Sequence, residues 1–277
     1  MTDRMLVAID VDGTLVGESL TISDADRGAI EAAVAAGTVV CLASGRLFAA
    51  ARPFAQSLHL EGPIIALQGA VAYDIASERR LFCTPLAVDL ALAAYDDLKE
   101  RGFHLQLYYG DRLYLDELND AAQYYLKIAR VQPVVVSDLR ELLTDHPPKD
   151  AGPMKVLGVA TAALVESTIP ALTRKFGERA NVFRSLPVFL EVTDPLATKG
   201  QALRRIAESL GIDMSATAAI GDSDNDVSMF AVASISFAVA NGTPAARRAA
   251  SHVVGALGSG VAQALGMLGL GVAHEPA

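Results

Sequence analysis

Asp10 and Asp12 stand one residue apart in the stretch Asp10-Val11-Asp12-Gly13-Thr14-Leu15. Two carboxylates that close repel each other, so the pair calls for a cation or a shared proton. A second group of acids, Asp222, Asp224 and Asp226, crowds another short stretch together with Asn225. Neither is an EF-hand calcium loop, which needs glycine at its sixth position and glutamate at its twelfth. Those positions hold Leu15 and Thr21 in one stretch, Val227 and Ala233 in the other. The acids suit Mg²⁺ instead, which takes one or two carboxylates and keeps room for waters and substrate phosphate oxygens. Asp222 is the better ligand of its group, because Asp226 lies where a helix N-terminus favours an acid for structural reasons alone.

Groups able to hold an anion are present as well. Ser44-Gly45-Arg46 offers a hydroxyl and backbone N–H groups opening a helix, a set that holds phosphate oxygens. The plainer reading is a serine helix cap beside a surface arginine. Lys199 follows Thr198, which with Gln201 forms a T-x-x-Q capping box and so places the lysine in the first turn of a helix. The helix dipole disfavours a cation there by ~0.3–1 kcal/mol, and an anionic neighbour would resolve the conflict.

These residues need elements that bring them together. The apolar run Met5-Leu6-Val7-Ala8-Ile9 suits a strand covered on both faces, and Asp10 and Asp12 fall at its carboxyl end, where open α/β sheets bind ligands. A helix over 22–36, capped by Ser23 and closed by Gly37, leads to a second buried strand over 38–43. That β-α-β order predicts a strand beside the first, with Ser44 near Asp10. A helix over 47–58 and a strand over 63–67 follow, ending at Gln68-Gly69-Ala70. The rhythm then changes. An amphipathic helix over 86–101, period-two alternation from Phe103 to Tyr109 and a two-residue turn at Gly110-Asp111 predict a hairpin in a sheet with one open face. Tyr108 and Tyr109 fall on opposite faces, so at least one of them packs rather than lining a pocket. A helix over 119–130, the Pro-rich connection His146-Pro147-Pro148, a strand over 154–160, a helix over 164–176 and strands around Val182 and Leu190 complete the segment. From Thr198 the first style returns, with a helix over 199–210 and a strand over 216–220 that delivers Gly221-Asp222. The pattern predicts an α/β fold: a doubly wound parallel-sheet core at 1–83 and 189–277 with an α+β domain inserted at 84–188.

Composition narrows the functional classes. With 277 residues, 52% hydrophobic and 20% charged, the chain is globular and not disordered. A net charge of −9 without any Lys/Arg run argues against sequence-independent nucleic-acid binding. Cys41 and Cys83 lack C-x-x-C spacing and read as core residues in a reducing compartment. No signal peptide fits ahead of the first strand, and the apolar stretch from Gly260 to Ala273 is too short for a bilayer, so a cytoplasmic protein is expected. His59, His104, His146, His252 and His274 are scattered without ligand spacing, and no P-loop motif occurs.

Taken in order, Asp10-x-Asp12-Gly-Thr-Leu, Ser44-Gly-Arg46, Lys199-Gly and Gly-Asp222-x-x-Asn225-Asp226 resemble the four motifs of the haloacid dehalogenase superfamily, in its Cof-type branch, subfamily IIB. Leu190-Glu191-Val192-Thr193 and Phe237-Ala238-Val239-Ala240-Asn241-Gly242 also look like that branch. The resemblance implies a Rossmann-like core with an inserted cap of the C2 type that closes over and selects the substrate, Mg²⁺ dependence, and hydrolysis of small phosphomonoesters through a phospho-aspartate. In those terms Asp10 is the nucleophile and Asp12 the general acid and base. Asp10, the backbone carbonyl of Asp12 and Asp222 hold the metal, with Asp226 assisting through waters or by steadying Lys199. Ser44, Gly45, Lys199 and Asn225 take the phosphate, and Arg46 and Gln68 contact the substrate. Gln68 is a departure, since members of the branch usually carry Asn-Gly-Ala there. A phosphomutase and a non-catalytic phosphate-binding protein are the alternatives on the same fold.

Overall fold

The computed structural model describes residues 4–145 and 152–270; the expected connection at His146-Pro147-Pro148 and His274 lie outside them. Strands form where apolar and β-branched residues run together. In chain order they are β1 (Leu6–Asp10), β2 (Val39–Ala43), β3 (Ile64–Ala66), β4 (Val71–Tyr73), β5 (Arg80–Cys83), β6 (His104–Tyr109) and β7 (Arg112–Leu115). Then follow β8 (Val134–Val135), β9 (Lys155–Val159), β10 (Asn181–Leu186), β11 (Phe189–Thr193), β12 (Thr217–Gly221), β13 (Ile235–Val239) and β14 (His252–Val254). Contacts divide the chain into two units, Met1–Leu81 with Thr198–Ala277, and Phe82–Ala197.

The first unit is built on a sheet of order β14-β13-β12-β1-β2-β3-β4-β5. Pairing is parallel from β14 through β3, and β4 runs antiparallel to β3. Every residue of β1, β2 and β12 is buried, as their near-continuous apolar sequences require of strands covered on both faces. Register sets Asp10 opposite Ala43 and Ile9 opposite Ile220. Ser44 and Gly221 therefore leave their strands beside Asp10. The chain steps from β1 to β2 and β3 on one side and adds β12, β13 and β14 on the other, so β1 is the switch point where an open α/β sheet leaves a crevice.

Helix caps hold the layers in place. Ser23 Oγ accepts the Asp26 N–H at 3.1 Å and opens helix Asp24–Ala35, which packs against helix Gly260–Met267. Thr198 Oγ1 accepts the Gln201 N–H at 3.2 Å and opens helix Lys199–Leu210, which Gly211 closes in the left-handed conformation. Ala202, Leu203, Ile206 and Ala207 form its buried stripe. No helix among the described residues is long and apolar enough to cross a membrane.

The second unit carries a sheet of order β10-β11-β9-β6-β7-β8, antiparallel except between β7 and β8. Gly110 supplies the positive φ of 53° that lets Tyr109 pair with Arg112 across the hairpin. On one face Leu105, Leu107, Tyr109, Val156, Leu190 and Val192 pack with Leu90, Leu98, Val165 and Leu172 from helices Val88–Glu100 and Ala162–Phe176. The open face expected from the alternation is not there: all six residues of β6 are buried. Tyr108 on that face meets polar partners rather than water, whereas Gln106 is buried with neither amide atom hydrogen-bonded. Lys155 and Glu191 form a buried ion pair at 2.9 Å, Lys155 Nζ lies 4.5 Å from the Tyr108 ring centroid, and the Tyr108 hydroxyl donates to Tyr125 on helix Asp120–Ala129. The expected boundary at residue 189 also moves. β11 pairs with β10 and β9, so residues up to Ala197 go with this unit, and the other division falls between Leu81 and Phe82.

Candidate active site

Asp10 ends β1 only 4% exposed, and the chain then turns sharply, with the N–H groups of Leu15 and Val16 both donating to the Val11 carbonyl. Gly13 sits in this turn at φ +91°, and a Cβ there would lie 2.5 Å from Asp222 Oδ2. Glycine is what lets the β1 turn and the Asp222 loop approach. Thr14 Oγ1 donates to Asp222 Oδ1 at 3.0 Å, and Asn241 Nδ2 donates to the Gly13 carbonyl at 2.8 Å. Thr243 N–H donates to the Asp222 carbonyl at 2.7 Å. Thr14, Asn241 and Thr243 are supports to which the motifs assign no role, although Thr14 lies in the first motif and Asn241 in the stretch Phe237 to Gly242.

Lys199, 1% exposed, brings the far end of the chain to Asp10. Its Nζ donates to Asp10 Oδ1 at 2.5 Å and to Asp226 Oδ1 at 2.6 Å. That answers the cation at a helix N-terminus: two carboxylates offset the dipole. Asp226 Oδ2 accepts the N–H groups of Asp222 and Ser223, each at 2.9 Å, closing a Ser223–Asp226 capping box. Asp226 thus steadies Lys199 and its own turn with both oxygens.

Ligand oxygens of Asp10, Asp222 and Asp226 lie within 4.8 Å of one another. Burial raises the Asp10 carboxyl well above its ordinary pKa, Lys199 opposing this and Asp226 and Asp222 adding to it. Burial raises Asp222 too, with Asp226 the next cause. For Lys199, burial works against the ammonium, but Asp10 and Asp226 outweigh it and lift its pKa. One ammonium facing three carboxylates leaves an excess of negative charge. Asp10 Oδ2 is moreover buried with no hydrogen-bond partner. An oxygen-only donor set with surplus charge and an unsatisfied carboxylate oxygen fits a hard divalent cation.

The remaining expected residues divide in two. Ser44 is buried beside Asp10, and its Oγ accepts the Arg46 N–H at 3.1 Å. It does not cap the next helix, which begins at Phe48 with Leu47 in the cap position, so the backbone N–H groups at 44–46 belong to a loop and not to a helix end. Arg46 is engaged by Asp12: Nε donates to Oδ2 at 2.8 Å and Nη2 to Oδ1 at 2.6 Å, a bidentate fork. The Asp12 side chain is 48% exposed and stands outside the three-acid cluster. Gln68 and Asn225 meet each other, Asn225 Nδ2 donating to Gln68 Oε1 at 2.8 Å.

Acids and a lysine thus gather at the switch point of a largely parallel α/β sheet, and the chain belongs to the haloacid dehalogenase-like hydrolases, whose family model matches residues 7–265. It is an enzyme of the phosphatase kind, as its curated relatives are named. The 5-amino-6-(5-phospho-D-ribitylamino)uracil phosphatase YcsE of Bacillus subtilis is 26% identical over 267 residues, covering 95% of each chain. The crystal structure of TM0651 from Thermotoga maritima superposes with a TM-score of 0.83 at 27% identity, covering 95% of this chain and 97% of that one. The subclass IIB sugar phosphatase BT4131 shares the fold, with a TM-score of 0.81 at 20% identity over 96% of this chain and all of its own.

Proposed function

We propose that the protein is a Mg²⁺-dependent phosphatase acting on small phosphomonoesters, sugar phosphates or phosphorylated cofactors, through an aspartyl-phosphate on Asp10. The observation that carries this is the state of Asp10, with Oδ1 held by Lys199 and Oδ2 buried without a partner at the tip of β1. Asp10 attacks phosphorus and the ester P–O bond breaks, the leaving oxygen taking a proton from Asp12. Water then attacks the phospho-aspartate, gives a proton to Asp12, and releases inorganic phosphate and the Asp10 carboxylate. Ser44, Gly45 and Lys199 hold phosphate oxygens, Asn225 sits in the turn that presents Asp222, and Asp226 keeps Lys199 in line. Asp10, the Asp12 carbonyl and Asp222 would hold Mg²⁺, which when bound neutralises charge on the phosphate oxygens.

Arg46, expected at the substrate, instead orients the acid on this reading, because its fork is filled by Asp12. A sugar-type leaving group is supported by the names of the relatives, one for a ribityl phosphate ester and one for a sugar phosphatase. A net charge of −9 suits a small cytoplasmic substrate rather than nucleic acid.

The test is release of free phosphate from a panel of phosphomonoesters with and without Mg²⁺. Turnover should require the metal and fall by roughly 10³-fold or more in Asp10→Asn, the scale of losing a nucleophile. Isomerised sugar phosphate without net phosphate release would overturn the proposal in favour of a phosphomutase.

A further inference from the structure

Leu67, Gln68 and Gly69 hold three successive positive φ angles, 49°, 61° and 104°. Two consecutive non-glycine residues in that region are rare, and such backbone persists only where its surroundings impose it. The surroundings here are the three other loops of the site. Leu67 N–H donates to the Arg46 carbonyl at 2.9 Å and Gln68 N–H to the Ser44 carbonyl at 3.1 Å. Gly69 lies so close to the next loop that a Cβ would fall 2.2 Å from the Thr198 carbonyl oxygen and 2.8 Å from the Lys199 nitrogen. Gln68, 8% exposed, reaches the third loop with its side chain through Asn225.

The Asn225 amide is then spent on both sides, because its Oδ1 accepts the Ser223 Oγ hydroxyl at 2.8 Å. Its backbone carbonyl accepts Ser228 Oγ at 3.0 Å, and that oxygen accepts the Gly200 N–H at 3.1 Å. Ser223 opens the capping box closed by Asp226, and Asp226 grips Lys199. A circuit of hydrogen bonds thus runs from Gln68 through Asn225 to the Asp222–Asp226 turn and back to the helix bearing Lys199. Gln68 joins that circuit to the Ser44 loop, its side chain accepting from Asn225 and its backbone N–H donating to the Ser44 carbonyl.

We infer that Gln68 is a positioning residue for the metal and phosphate site: its Oε1 ties the turn bearing Asp222 and Asp226 to the loop bearing Ser44. This rests on the phosphatase reading for the use of the site, and not for the geometry. Gln68 acts through Asn225 and does not itself contact substrate. Partners standing behind metal ligands are worth about 10–100-fold in metal affinity or activity.

The test is a comparison of the full-length protein with Gln68→Asn, Asn225→Leu and the double variant. Asparagine tolerates the left-handed backbone at position 68 better than most residues, so that variant folds, but it is one methylene too short to reach Asn225. Titration calorimetry of Mg²⁺ into the metal-free proteins should show affinity about 10-fold or more weaker in Gln68→Asn. With Mg²⁺ saturating, kcat for a phosphomonoester should fall while KM stays within about threefold, since the residue orients and does not bind substrate. The double variant should be no worse than the poorer single one, as expected of two residues acting as one unit. Wild-type Mg²⁺ affinity in Gln68→Asn, additive losses in the double variant, or a loss confined to KM would overturn the inference. Should Gln68→Asn melt early, Gln68→Glu, which keeps the acceptor oxygen, must restore Mg²⁺ affinity or the inference falls. If the wild-type protein releases no phosphate from any ester, the functional reading fails alone, because the calorimetry still judges Gln68.

Discussion

Lys199 shows how much one side chain can carry. It is enclosed between Asp10 and Asp226, so replacing it with methionine leaves two buried carboxylates facing each other without their cation. Breaking a buried pair from one side costs about 3–5 kcal/mol, and Lys199→Met should lose that much stability in urea titrations along with its turnover. A stability loss under 1 kcal/mol would mean that the acids are relieved in some other way. Residue types alone exposed this tension, because a lysine in a first helical turn asks for an anion. They left Arg46 undecided. A guanidinium serves a phosphate and a carboxylate equally well, and only the fork onto Asp12 separates the two.

At the scale of elements, helix ends and sheet faces decide what burial does to polar groups. Asp26 is fully buried at the start of helix Asp24–Ala35, where Oδ2 accepts from Ser23 Oγ at 3.0 Å and Oδ1 from the Ala262 N–H at 2.8 Å. It thereby caps helix Gly260–Met267, whose own cap residue Ser259 makes no side-chain capping bond to the helix. Burial outweighs those hydrogen bonds and raises the Asp26 carboxyl above its ordinary value. The folded state then binds more protons than the unfolded one between the ordinary and the raised pKa, so this group's contribution declines as pH rises through that window. Urea midpoints of the wild type and Asp26→Asn, followed upward from about pH 4, should converge as pH falls, the variant lacking this term. The second element-scale case is the buried Lys155–Glu191 pair. Glu191→Ala should cost about 3–5 kcal/mol, whereas replacing both partners by apolar residues of similar volume should be near neutral or stabilising. Alternation along β6 located the strand and its hairpin. Whether a polar strand position meets water or a partner depends on what lies over the sheet, and period two carries no information on that.

For the whole molecule, the order of pairing matters more than the order of sequence. β1 is flanked by β2 from its own stretch and by β12, which arrives after the entire second unit. The first unit therefore needs both of its segments, while Phe82–Ala197 is continuous and owns a separate apolar core. Expressed alone, residues 82–197 should unfold cooperatively in a thermal melt, and residues 1–81 alone should not, lacking the β12 side of their sheet. By itself the sequence determined the strand ends that bear Asp10, Ser44 and Asp222, the cap that sets Lys199 at a helix start, and the acids available to a cation. Those features are local: apolar runs, caps and glycines act over a few residues. The tertiary structure alone decided that Lys199 and Asp226 close on Asp10, that Asp12 is taken by Arg46, that Gln68 reaches Asn225, and that every residue of β6 is buried. The physical reason is that each of these is a contact between distant segments, set by strand register and packing rather than by the neighbours of the residue in the chain.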